Sequence, residues 1–133
     1  MGNISNNLFY IYSRNRDSRR WESNYLAGDE NLIKKFKHAI FCFGLDVTNI
    51  ESKALYFYAG RKRLIKALAT EDKKHIILTF TNETMYDKYN NAEEQMISMD
   101  IALQERQFAN KFKVTNGRIV LDDATIQMIY TRK

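Results

Sequence analysis

The sequence predicts an α+β fold in which a helical, basic N-terminal half packs on a mostly antiparallel C-terminal sheet. Apolar residues recur at a helical spacing of about 3.6 residues in the first half, and β-rich runs dominate the second half. An Asn-Gly pair between two such runs is typical of a tight antiparallel hairpin. The 133 residues contain no proline and no low-complexity linker. We therefore expect a single domain over residues 1–133.

The first half begins with residues 8–12, an aromatic and β-branched run that predicts a strand. Residues 17–28 then predict a helix with Trp21 on its buried face. Residues 29–44 predict the clearest helix, because their apolar positions follow the helical period. The two helices give the N-terminal half its predicted helical character.

The segment that follows has two interpretations. Thr48 and Glu51 fit a capping box, which predicts a helix whose apolar stripe continues to Leu68. Gly60 is a weak point in that helix. A strand through residues 55–58 is the alternative.

The second half changes period. Residues 75–81 are β-rich and predict a strand, and residues 97–104 alternate between apolar and polar side chains, which also predicts a strand. A helix over residues 92–109 remains an alternative, because Ile97, Ile101 and Phe108 would share one of its faces.

The C-terminal segment predicts a hairpin and a last strand. Residues 112–121 surround Asn116-Gly117, which suits the turn of a two-residue hairpin. Asp122-Asp123 then turns the chain into a strand over residues 125–130. An exposed edge of this hairpin is also compatible with a homodimer.

The sequence lacks the residues that a disulfide, a zinc site or a phosphate-binding loop would need. Cys42 is the only cysteine, which excludes an internal disulfide and a thiolate zinc site. His38 and His75 are 37 positions apart, and the five glycines form no phosphate-binding loop. We therefore predict no cofactor and no metal, and a binding protein rather than an enzyme.

The location is predicted from two absences in the sequence. No stretch approaches the roughly 20 consecutive apolar residues of a membrane span. The N-terminus lacks the basic start and apolar block of a secretion signal. We expect a cytoplasmic protein with no membrane contact.

The positive charge is concentrated in one half of the chain. The formal net charge is +5, and residues 1–74 carry 14 lysines and arginines against 8 acids. Residues 75–133 carry 7 against 8. This asymmetry predicts an acidic partner, either a nucleic acid or an acidic protein.

Two basic stretches contain aromatic residues, as nucleic-acid interfaces often do. In residues 14–22, Asp17 and Glu22 can neutralise two of the four arginines, which leaves Arg14 and Arg16. Residues 52–70 contain no acid and are the better candidate. The candidate binding residues, with two helix lysines as an extension, are Arg61, Lys62, Arg63, Lys66, Tyr56, Tyr58, Arg14, Arg16, Lys34 and Lys35.

The leading hypothesis is a small basic protein that binds nucleic acid, either DNA or RNA, through these residues. The alternative is a protein-binding inhibitor or adaptor of the phage or mobile-element type, whose partner is acidic or itself binds nucleic acid. A small nuclease is a distant third hypothesis.

Overall fold

A computed structural model describes residues 9–12, 30–47, 54–59, 62–92 and 99–133. The strands are β1 (Phe9–Tyr12), β2 (Ala54–Ala59), β3 (Lys62–Ala69), β4 (His75–Phe80), β5 (Phe112–Asp122) and β6 (Thr125–Arg132). The helices are α1 (Glu30–Asp46), α2 (Glu83–Asn91) and α3 (Met99–Lys111).

The strands form one antiparallel sheet in the order β1-β2-β3-β4-β6-β5. Helix α1 connects β1 to β2, and α2 and α3 connect β4 to β5. Strands β1 and β5 therefore lie at the two edges. The fold is α+β, as the residue periods predict.

In the part of the chain that the structure describes, all three helices pack on one face of the sheet. Helix α1 contacts it through Phe36, whose ring centroid lies 5.4 Å from that of Phe57 on β2. Helix α2 contacts Phe80 on β4 through Tyr89, and α3 contacts Tyr130 on β6 through Phe108. We call this the inner face, and the opposite side the outer face.

The prediction of a helical N-terminal half is wrong for the described residues. Three of the six strands precede residue 70, and residues 54–59 and 62–69 form the antiparallel strands β2 and β3 instead of a helix. The alternative of a strand through residues 55–58 is confirmed. A hairpin buries Leu55 and Phe57 against Ala67 and Ile65, whereas a continuous helix would need Gly60 in its interior.

Residues 99–111 are helical, so the predicted strand over residues 97–104 is wrong and the alternative helix is confirmed within its described part. A strand would place Met99, Ile101 and Leu103 together on a buried face. Instead Met99 and Leu103 are exposed, Ile101 is half-buried, and Phe108 is buried. The helix is favoured over the strand because it buries Phe108.

The predicted turn at Asn116-Gly117 is also wrong. Both residues lie inside β5, where Asn116 is opposite Ile129 and the register shifts at irregularities on either side. The predicted turn at Asp122-Asp123 is confirmed, and Asp122 Oδ1 accepts a hydrogen bond there from the backbone N–H of Ala124 at 2.8 Å. A turn here joins an 11-residue strand to an 8-residue strand, which gives far more pairing than two four-residue strands would.

Other predicted elements are confirmed. The helix over residues 29–44, the strands over residues 8–12 and 75–81, and the last strand over residues 125–130 correspond to α1, β1, β4 and β6. The predicted helix over residues 17–28 and the capping box at Thr48 lie outside the described residues. No helix among the described residues is long and apolar enough to cross a membrane.

Candidate nucleic-acid interface

The strand register aligns a row of side chains across the outer face. Tyr56 is opposite Lys66, Lys66 is opposite Thr79, and Thr79 is opposite Gln127. Directly opposed residues in a sheet point to the same side, so the row crosses β2, β3, β4 and β6 on one face. Along each strand, the residue in this row is followed or preceded by a buried inner-face residue, as Thr79 is followed by Phe80.

A second row lies beside the first. Leu68 is opposite Ile77, and Ile77 is opposite Ile129. Leu68 is 36% exposed, and the two isoleucines are half-buried. The outer face is therefore a polar and basic row next to an apolar row.

An irregularity in β3 places Arg63 on this same face. Phe57 is opposite Ile65, but Tyr58 is opposite Arg63, so β3 holds one extra residue, Leu64. Leu64 is only 4% exposed and belongs to the core with Ile65. In a regular strand Arg63 would share the inward side of Ile65, whereas the bulge turns it outward beside Tyr58.

The Arg63 side chain rests on the two tyrosines of β2. Its guanidinium carbon lies 4.2 Å from the ring centroid of Tyr56 and 5.9 Å from that of Tyr58. The two ring centroids are 5.8 Å apart. Contacts of this kind contribute about 0.5–2 kcal/mol and restrict the position of the guanidinium group. Tyr56, which is 8% exposed, supports the arginine instead of offering a bare ring to a ligand.

On the four central strands, the described charged side chains of the outer face are positive. Arg63 and Lys66 lie on β3, and no described outer-face position of β2, β3, β4 or β6 is an aspartate or glutamate. On the edge strand β5, Lys113 is opposite Thr131 and is exposed. Lys113 lies four positions along β6 from Gln127, where the polar row ends, and the exposed Asp122 of β5 is opposite Thr125 on the same face.

The other candidate residues lie elsewhere. Lys62 is exposed at the start of β3, opposite Ala59, and strand alternation directs it away from the Arg63 side. Lys34 and Lys35 belong to α1, on the other side of the sheet. Arg14, Arg16 and Arg61 lie outside the described residues. The structure thus brings together Arg63, Lys66, Tyr56 and Tyr58, a subset of the candidate set.

Thr79 and Gln127 also lie on this face, although they are not among the candidates predicted from the sequence. Gln127 Nε2 donates a hydrogen bond to Thr79 Oγ1 at 3.2 Å, across two strands that are 48 residues apart in sequence. The alternation of polar and apolar residues in residues 75–80 and 125–132 could have indicated their outward direction. Their alignment with Lys66 needed the strand order.

A separate cleft lies on the helical side of the protein. Its volume is about 400 Å³, and it is lined by side chains of α1 and α3, including Cys42, Gln104 and Gln107. Cys42 Sγ lies 3.7 Å from Nε2 of His38. Burial lowers the pKa of His38, and the nearby Asp100 carboxylate opposes that shift. The described residues contain no group of three or more metal-ligating side chains here or elsewhere.

The chain matches no protein-family model, no curated protein sequence and no solved structure.

Proposed function

We propose that this protein binds nucleic acid through the outer face of its sheet, without catalysing a reaction. The acid-free surface around Arg63 and Lys66 carries the proposal. Both side chains lie on one strand and one face, and Arg63 is held in place by Tyr56 and Tyr58. A guanidinium group fixed before binding loses less conformational entropy when it contacts a phosphate.

Nucleic acid suits this surface because its backbone carries a regular series of negative charges. Lysine and arginine side chains that neutralise phosphates release condensed counterions, and that release drives binding. The logarithm of the affinity then falls linearly with the logarithm of the salt concentration. The slope is roughly −0.9 per phosphate contact on duplex DNA and roughly −0.7 on a single strand.

The experiment is to reverse one charge on each side of the sheet. Lys66→Glu should lower the affinity for a fluorescein-labelled, mixed-sequence 12-mer by about tenfold or more, and reduce the salt slope by about one contact. Lys34→Glu is the matched control, because it makes the same charge change on α1. It should leave the affinity within about twofold. Fluorescence anisotropy between 50 and 300 mM salt measures both quantities.

Two results would contradict the proposal. One is that the wild-type protein binds neither a single strand nor a duplex at 50 mM salt. The other is that Lys34→Glu weakens binding as much as Lys66→Glu does, because net charge alone would then explain the affinity. Thermal unfolding of each variant checks that the fold is retained, and Lys66→Gln repeats the test without a new acid.

A further inference from the structure

We propose that the ligand is a single strand of nucleic acid lying across the outer face, with its bases over β4 and β6. This inference rests on the proposed function and specifies the form of the ligand. It adds Thr79 and Gln127 as contacts to the bases, beside Arg63 and Lys66 as contacts to the phosphates. Four features of the sheet support it.

The width of the sheet favours a single strand over a duplex. Six strands spaced about 4.8 Å apart measure roughly 24 Å between the two edges. The major groove of B-form DNA is about 12 Å wide and admits a helix or a two-stranded ribbon. A six-stranded face cannot enter that groove, so a duplex would meet it only through its phosphates. An unpaired strand can lay its bases on the face.

Hydrogen-bonding capacity lies in the middle of this face, next to Lys66, which is directly opposite Thr79. The Gln127 amide donates to Thr79, and this is the one hydrogen bond that its side chain makes among the described residues. Its carbonyl oxygen and second N–H, and the hydroxyl hydrogen of Thr79, are left to contact a ligand. Both side chains are partly exposed. Base edges carry the complementary donors and acceptors.

The apolar row lies immediately beside this pair. Ile77 and Ile129 lie two positions from Thr79 and Gln127 on the same two strands, and Leu68 extends the row onto β3. A base whose edge contacts Gln127 can therefore rest its ring face on aliphatic carbon. Phosphate groups alone would not use an apolar surface, whereas unstacked bases do.

The cations flank this central area. Arg63 and Lys66 lie on β3, and Lys113 lies on β5, on the far side of β4 and β6. Strands β3 and β5 are three strand spacings, or about 14 Å, apart across the sheet. Lys113 is also displaced from the row of Lys66 by four residues, or about 13 Å, along the strands, which separates the two backbone positions by roughly 19 Å. An extended strand of a few nucleotides covers this distance with its phosphates near both flanks. The charge pattern thus complements a backbone that crosses the strands obliquely.

The test compares a 12-nucleotide single strand with its 12-base-pair duplex, in DNA and in RNA of one sequence. The wild-type protein should bind at least one of the single strands about tenfold or more tightly than the matching duplex. Gln127→Ala should weaken single-strand binding roughly three- to tenfold, as expected for a lost neutral contact, and leave the salt slope unchanged. Gln107→Ala, an exposed glutamine on α3, is the matched control and should have no effect.

The outcomes separate the two proposals. If the duplex binds as tightly as the single strand and Gln127→Ala changes nothing, the single-strand inference is overturned, while binding through Lys66 stands. If no nucleic acid binds at low salt, both proposals fall, and stoichiometric binding of an acidic protein would then identify the other class of partner. If Gln127→Ala weakens single-strand and duplex binding equally, the contact to bases is overturned.

Discussion

Gly44 lies near the C-terminal end of α1, where this helix comes closest to the ring of Phe108 on α3. A Cβ atom on Gly44 would lie 2.8 Å from Cδ2 of Phe108 and 3.0 Å from Cδ1 of Ile76. The Phe108 ring cannot move away easily, because it is stacked against Phe112 with a centroid distance of 4.8 Å. Only glycine leaves room for this contact between the two helices.

We therefore expect Gly44→Ala to destabilise the fold. Overpacking of this kind costs about 1–3 kcal/mol, which exceeds the roughly 1 kcal/mol that alanine gains over glycine in a helix. The free energy of unfolding in urea measures the difference. Gly117→Ala is the control, because its Cβ would meet only the Tyr86 hydroxyl, at 3.8 Å. A Gly44→Ala protein as stable as the wild type would contradict the tight contact.

At the scale of the element, α2 illustrates how one side chain begins a helix. Asn82 precedes the helix in an extended conformation, and its Oδ1 accepts a hydrogen bond from the backbone N–H of Met85 at 2.9 Å. The contact satisfies one of the N–H groups that have no partner within the helix. Met85 and Tyr89 then face the core from α2.

Replacement of Asn82 by alanine should cost about 1 kcal/mol of stability, because alanine cannot accept that hydrogen bond. The shift of the urea midpoint measures the cost at constant slope. Asn90→Ala is the matched control, since Asn90 is exposed within the same helix and alanine is the better helix former. Equal effects of the two substitutions would show that the cap contributes nothing.

Pairing of β2 with β3 determines which candidate binding side chains share a face. The acid-free run of residues 52–70 predicted a basic surface, and the described part of that run does present Arg63 and Lys66 together. A helix would also have brought Arg63 and Lys66 together, because residues three positions apart lie on the same face of a helix. Tyr56 joins them only because strand pairing puts it opposite Lys66.

At the scale of the whole molecule, Phe108 connects the helical layer to the sheet. Its ring centroid lies 5.2 Å from that of Phe41 on α1, and it also contacts Phe112 on β5 and Tyr130 on β6. The side chain is 3% exposed. A single aromatic residue thus joins two helices and two strands, which favours one cooperative unit.

Phe108→Ala should lower the free energy of unfolding by about 3–5 kcal/mol, because it leaves a cavity where the two layers meet. Urea unfolding followed by circular dichroism and by tyrosine fluorescence measures the loss. Both probes should show one coincident transition. Leu103→Ala, at a 45% exposed position of the same helix, should cost less than about 1 kcal/mol. Separate transitions in the wild-type protein would contradict a single domain.

The sequence by itself determined the fold class, the position of α1 and the last strand, and the basic, acid-free character of residues 52–70. These features depend on local periodicity and composition, which are set by residues that are close together in the sequence. The helical state of residues 99–111 and the extended conformation of Asn116-Gly117 inside β5 were decided by burial of Phe108 and by pairing with β6. The meeting of Lys66, Thr79 and Gln127 likewise exists only in the tertiary structure, because strand order brings together residues that are up to 61 positions apart.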